Sequence, residues 1–379
     1  MGNLSRNPFI PTFGVSPSVF AGRNAVVEAF GRGLSGGVGD PRRALLLSGP
    51  RGIGKTVTLN ELEDEAKRRG WVVLRAQPHD LVQPLVDTAI PHALSILSQR
   101  PEGRRRITGV NIAGLGGVRS EIDDGYSPAP SLITGLNSLA DEAGPDSGIL
   151  ITVDEVQSAP SNQMWELTAA VQDLMRDNRN IAFAAAGLPE GIASLLQHPG
   201  TTFLRRAQHS NLGPMSPEQT AEVLAQTAEA GGAEFDQAAL RASVAMSRGY
   251  PFLIQLIGFH LFERAGRGGR ITASDVDAVR EDVLDTLGQL VHAPALSTVP
   301  PKQEEFLVAM AQAQQELAAV PTAEIARVLG ATPQSLTMAR QALLKRELVY
   351  SPKHGYLNFT IPHMGHHLLN RGPRDSGWD

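Results

Sequence analysis

The stretch Gly49-Pro50-Arg51-Gly52-Ile53-Gly54-Lys55-Thr56 constrains this chain more than any other, because it satisfies G-x-x-x-x-G-K-[ST] in a telling context. Ala44 to Leu47 before it is a short apolar run suited to a buried strand. Thr56 to Arg69 after it has helical spacing, with Val57, Leu59, Leu62 and Ala66 as apolar positions. Strand, glycine-rich turn and helix in that order predict a strand of a parallel sheet with its helix folded back over one face. Glycines let the backbone curl so that its N–H groups converge on phosphates at a helix N-terminus. Lys55 would reach the β and γ phosphates, and the Thr56 hydroxyl would take one Mg²⁺ position. Gly49, Pro50, Arg51, Gly52, Ile53, Gly54, Lys55, Thr56 and Val57 are therefore the expected nucleotide-binding residues, with ATP and Mg²⁺ as cofactors.

A second buried strand ending in acids is expected, and "GILITVDEVQ" supplies it. Ile149 to Val153 is a continuous apolar or β-branched run closed by Asp154-Glu155. Asp154 would hold Mg²⁺ with Thr56, and Glu155 is placed to orient and deprotonate an attacking water. Lys55, Asp154 and Glu155 form the expected catalytic set.

Composition narrows the partners. A net charge of -5 gives no global attraction to nucleic acid or acidic membranes, so any such binding needs a local patch. With no cysteine, disulfide frameworks and thiolate metal sites are excluded. No segment approaches the roughly 18 apolar residues of a membrane span, and a cytoplasmic protein is expected.

Strands predicted at Ala44–Ser48, Val72–Ala76, Ile149–Val153, Ile181–Ala186 and Ser210–Leu212 alternate with helical stretches, giving an α/β core over residues 1–212. Residues 104–130 interrupt it with glycines and alternating apolar residues and read as an inserted hairpin or flexible loop, and Arg104-Arg105-Arg106 there reads as a solvated charge run. From Ser216 the pattern turns wholly helical, predicting a lid over residues 213–292 with helices near 217–230, 236–247, 251–264 and 272–289. "HAPALSTVPPK" reads as a linker. Over residues 300–379, a helix, a helix-turn-helix and a hairpin predict a winged helix. Thr322 is expected to cap its second helix and Thr332-Pro333 its third. If the winged helix meets DNA, Gln334, Ser335, Thr337, Arg340 and Gln341 would face bases, and Lys345, Arg346, Lys353 and His354 phosphates. The charge balance around this face is thin, so protein remains the alternative partner. His363, His366 and His367 lack the carboxylate partner that a metal site usually has.

With the glycine-rich and acidic motifs together, the chain resembles the AAA+/STAND group of P-loop ATPases, especially its origin-recognition, replication-initiator-like branch. The resemblance spans most of the sequence and implies a P-loop parallel-sheet sandwich followed by a helical lid and a winged helix. "NPFIPTFGVSPSVFAGRNAVVEAF" is similar to that branch's lead-in segment, which implies that Phe20, Ala21, Gly22 and Arg23 lie beside the adenine. Arg205 and Arg206 fall where AAA+ rings carry an arginine finger; a solvated basic pair is the equal alternative. Two departures stand out. Ala185-Ala186-Gly187 replaces a polar sensor, and Phe252 replaces a sensor arginine. Gly249-Tyr250-Pro251 instead looks like the G-x-P signature of STAND switches, whose proline abuts the nucleotide; this implies Pro251 as a nucleotide contact. The resemblance thus implies slow hydrolysis and nucleotide-gated switching, with DNA, self-assembly or an effector protein downstream.

Overall fold

Six strands, β1 (Ala44–Ser48), β2 (Val72–Ala76), β3 (Asn111–Ile112), β4 (Ile149–Val153), β5 (Ile181–Gly187) and β6 (Gln208–Asn211), form a sheet in the order β3-β2-β4-β5-β1-β6. Every pairing in it is parallel. The computed structural model describes residues 7–12, 14–17, 19–99, 111–112, 131–314 and 319–371. Apart from β3, the expected insertion at 104–130, including its arginine run, lies outside the described residues.

Alternation along each strand builds two cores. Leu45, Leu47, Val73, Leu150, Ala182, Ala184 and Ala186 face helices α1 (Asn24–Ser35) and α2 (Lys55–Arg68). Leu46, Val72, Leu74, Ile149, Ile151, Ile181 and Phe183 face the other side. There lie α3 (Ile90–Ser98), α4 (Leu132–Ala143), α5 (Ser161–Arg176) and α6 (Pro189–Gln197). Strands covered on both faces read as mainly apolar runs, which is why β1, β2 and β4 match their predicted bounds. The edge strand β6 is the exception: it starts two residues earlier than predicted. Its Gln208-His209-Ser210-Asn211 is largely exposed and has no apolar run to mark it. Leu212 continues the pairing by donating its N–H to Ser48 O at 2.7 Å.

The chain divides into two compact units. Gly14–Ser16 and Phe20–Gly213 make the α/β unit. Pro214 onward, with residues 7–12, Pro17 and Val19, makes the other. That second unit begins with α7 (Pro217–Gly231), whose Ser216 accepts from Gln219 N in a capping box, and β7 (Glu234–Phe235). Next come α8 (Gln237–Ser247), α9 (Pro251–Ala265), β8 (Arg270–Ile271) and α10 (Ala273–Leu287). Helix α9 is apolar on nearly all sides because it is enclosed: Phe252, Leu253, Ile254, Leu256, Ile257, Leu261 and Phe262 are all buried. Phe9 packs flat on it at Gly258, where a Cβ would stand 2.2 Å from the ring. Asn7 Nδ2 donates to Phe259 O at 3.0 Å and Ile10 N to Gln255 Oε1 at 3.0 Å.

The linker expected at 292–302 is helical at both ends instead, with 297–300 as a short connection. Helix α10 runs through a π-turn, Gly288–His292, into α11 (Ala293–Leu296), and α12 (Pro301–Ala313) follows. Pro294 and Pro301 each stand in a first helical turn, where proline's missing N–H costs nothing, so here prolines start helices rather than break them. Leu296 and Val299 are buried.

Beyond α12 lie β9 (Val320–Pro321), α13 (Thr322–Val328), α14 (Thr337–Lys345), β10 (Val349–Tyr350), β11 (Tyr356–Phe359) and α15 (Met364–Asn370). The three strands pair antiparallel in the order β10-β11-β9. Two expected caps are corrected. Pro321 occupies the N-cap of α13, and Thr322 Oγ1 donates to Gly355 O at 3.1 Å. Helix α14 begins at Thr337, not at Thr332-Pro333. Ser335 Oγ bonds back to Thr332 O at 2.7 Å and its N–H donates to Thr332 Oγ1 at 3.4 Å, holding a separate turn ahead of the helix. His292 is buried, its Nε2 2.9 Å from Pro362 O, and His363 Nε2 is 2.8 Å from Met246 O. Burial pushes the His292 pKa down to about 3 and that of His363 to about 4. No group of three or more metal-ligating side chains gathers among the described residues.

Candidate nucleotide site

The register of the sheet sets the site. Ser48, the last residue of β1, pairs with Gly187 on one side and Asn211 on the other, and Val153 pairs with Ala185 and Ala76. The glycine-rich turn and the acids after β4 thus leave the sheet at the same carboxyl edge, where open α/β sheets bind ligands.

Two glycines shape the turn. Gly54 caps α2 at φ 93°, in the left-handed region that a side chain rarely adopts. At Gly49 a Cβ would come within 2.6 Å of Leu212 O, so the backbones could not approach as they do. Behind the turn, Glu63 of α2 is buried and anchors the helix: its Oε1 accepts from Thr152 Oγ1 of β4 at 2.8 Å, and its Oε2 from Arg75 Nε of β2 at 2.6 Å.

Lys55 is only 5% exposed, and its Nζ donates to Gly49 O at 2.8 Å and Pro50 O at 3.0 Å. The ammonium is thereby held under the turn. Thr56 Oγ1 donates to Asp154 Oδ2 at 2.6 Å, and Asp154 Oδ1 accepts the N–H of Glu155 at 2.9 Å. Glu155 adopts φ 51°, ψ 48°, which few non-glycine residues do. Lys55, Thr56, Asp154 and Glu155, drawn from segments 98 residues apart, form one cluster. A hydroxyl and a carboxylate in contact, beside a buried ammonium and a helix N-terminus, suit a hard cation and an anionic phosphate.

In the lead-in segment, Phe20 packs on the core beneath α1, Ala21 is buried and Gly22 is left-handed at φ 76°. Arg23 sits at the N-cap of α1 and donates from Nη2 to Gly213 O. Burial lowers its pKa from the usual value, and its Nε is buried with no hydrogen-bond partner among the described residues. An orphaned buried donor of this kind suits a polar ligand beside it.

Arg205 and Arg206 end a 3₁₀ segment, Pro199–Arg206, just before β6, and both are exposed. Arg205 Nε donates to Leu196 O at 2.9 Å. Pro251 belongs to the second unit, where it opens α9. The turn before it is tightly built: Gly249 is left-handed at φ 70°, and a Cβ there would stand 2.2 Å from Met215 O. Gln157 was not among the residues expected at this cluster. Its side chain donates to Glu155 Oε2, yet no spacing rule points to a glutamine two residues past the acids.

Residues 19–184 match the AAA ATPase domain family. That match lies within the α/β unit apart from its first position. Among solved structures, the Walker-type ATPase PABY2304 of Pyrococcus abyssi resembles the chain with a TM-score of 0.62 at 14% identity, covering 92% of this chain and 96% of that one. The ORC2 protein of Aeropyrum pernix, in ADPNP–ADP complexes, does so with a TM-score of 0.58 at 17% identity, covering 97% and 98%. These are likenesses of fold, and they run over nearly the whole of each chain. Residues 289–368 match a domain family of unknown function, and no curated protein matches the chain.

Proposed function

We propose that the chain is an ATP-binding, Mg²⁺-dependent ATPase that hydrolyses slowly and acts as a nucleotide-dependent switch on a DNA-binding winged helix. The observation that carries the ATPase reading is the 2.6 Å contact between Thr56 and Asp154, beside the Lys55 ammonium. Backbone N–H groups of Gly52 to Thr56 and the Lys55 ammonium hold the phosphates. Thr56 and Asp154 would hold Mg²⁺, which neutralises developing phosphate charge. Glu155 takes the proton of the attacking water. Phe20, Gly22 and Arg23 flank the base. Arg205 or Arg206 would serve a neighbouring copy, which their exposure permits.

Slow turnover is supported by what is missing. The end of β5 offers only Ala185, Ala186 and Gly187, and position 252 holds a buried phenylalanine. Each absence removes a polar group that would otherwise stabilise transition-state charge. Pro251 is proposed as the lid residue that senses the nucleotide.

For the C-terminal segment, helix order and antiparallel strands support a winged helix with α14 as its reading helix. Gln334, Ser335, Thr337, Gln341, Lys345 and Lys353 are all exposed, whereas Arg340 is half-buried. Lys353 Nζ lies 3.8 Å from the centre of the Tyr356 ring, which holds the cation on the wing.

ATP hydrolysis by the unmutated chain, together with DNA binding titrated against salt with and without ATP, tests the proposal. Phosphate contacts appear as a negative slope of log affinity against log salt. No hydrolysis would overturn the ATPase reading, and a flat slope the DNA reading.

A further inference from the structure

Gln157 stands on the single 3₁₀ turn Val156–Ser158, two residues past Glu155, and both ends of its amide are engaged. Its Nε2 donates to Glu155 Oε2, and its Oε1 accepts the Leu188 N–H at 3.1 Å. The partners fix which way the amide points, since only an oxygen serves an N–H and only an NH₂ serves a carboxylate. Leu188 immediately follows β5, so one side chain ties the acid after β4 to the end of its neighbouring strand.

Two glycines make room for it. A Cβ at Gly191 would stand 2.7 Å from Gln157 Cβ, and one at Gly187 would stand 3.0 Å from Gln157 Oε1. The backbone of Glu155 is also held. Its N–H is on Asp154 Oδ1, and its carbonyl accepts from Ser158 N at 2.8 Å. With the backbone fixed, what stays free at Glu155 is the direction of its carboxylate.

We propose that Gln157 is a positioning residue for Glu155. It occupies Oε2, leaves Oε1 to accept the proton of water, and braces that orientation against the end of β5, where the strand itself has no polar side chain. The inference rests on the reading of Glu155 as the base. Gln157 is exposed, so water competes for its bonds and the effect is one of orientation rather than of affinity.

The test compares Gln157→Glu with Gln157→Ala. Glutamate keeps the shape, the packing and an oxygen for the Leu188 N–H, but it turns the donor facing Glu155 into an acceptor. Both variants should lower the single-turnover hydrolysis rate about tenfold or more, with ATP Kd within twofold and Tm unchanged. Gly191→Ala, which crowds Gln157, should lower the rate in the same way. Normal turnover in Gln157→Glu would overturn the proposal, because the structural link to β5 would then be all that mattered. A parallel fall in ATP affinity would overturn it as well. Glu155→Gln is assayed alongside. Undiminished hydrolysis there overturns the reading of the site itself, whereas its loss beside a normal Gln157→Glu overturns only the role of Gln157.

Discussion

The nucleotide cluster and the face of α14 are specified in opposite ways. Around Lys55 and Asp154, the Lys55 ammonium, the Thr56 hydroxyl and both Asp154 oxygens each have a protein partner within 3.0 Å, so their geometry is set before any ligand arrives. On the face from Gln334 to Lys345, side chains stand in water, and Met338 among them is 78% exposed. A prearranged site loses function sharply when one atom is removed, whereas a solvated face loses it in small, salt-sensitive steps.

The largest effect is expected at Glu155. Glu155→Gln should cut hydrolysis about a hundredfold or more, the usual worth of a general base, while ATP stays bound. A rate within a few-fold of the unmutated chain would reassign Glu155 to structure. Lys55→Ala comes next. ATP affinity measured by titration calorimetry should fall more than tenfold, or about 1.4 kcal/mol. A smaller loss would mean that the backbone cradle alone holds the phosphates.

Acid should separate the two units. In the second unit, His292 is held neutral by burial, its pKa pushed down to about 3 from an ordinary 6.5. The unfolded chain therefore takes up that proton first. Stability is full above about pH 6.5 and falls by about 1.4 kcal/mol per pH unit as pH drops from there toward 3. His363, with a pKa of about 4, adds to the same loss. In the α/β unit, the hydrogen bond from Arg42 lowers Asp40 to about 2, so its contribution persists until pH falls below the ordinary carboxylate range. Hydrogen exchange at pH 5 should show protection lost in α8 and α15 before β4 and β5. Simultaneous loss would make the histidines irrelevant to acid stability.

The smallest effect belongs to the solvated face. Lys345→Ala should weaken DNA binding evenly across sequences and make the salt slope shallower by about one. An unchanged slope would remove Lys345 from the phosphate contacts.

How much of this was legible follows from burial. Strands β1, β2 and β4 could be read to the residue because both faces are covered and most positions are apolar. The gathering of Lys55, Thr56, Asp154 and Glu155 could be expected because the motif reading demands fixed residue types at fixed places. The contacts of Gln157 could not, since they depend on where β5 ends in space and on two glycines some thirty residues downstream. The helical ends of the 292–302 stretch were hidden by its prolines, whose meaning depends on whether they fall in a helix's first turn. The start of α14 was hidden because Thr332 and Ser335 bond to each other's backbone as readily as they cap.

The seat of Phe9 on α9 bears on how the protein is made. Asn7 and its partner Phe259 are 252 positions apart. At ribosomal speeds of about 5–20 residues per second, residues 7–12 wait roughly 10–50 s for the helix that receives them. Throughout that interval an apolar ring has no home, and the α/β unit is completed first. A nascent chain halted before Pro251 should therefore bind a hydrophobic-seeking chaperone through its leading end, and release it once Gly258 has cleared the exit tunnel.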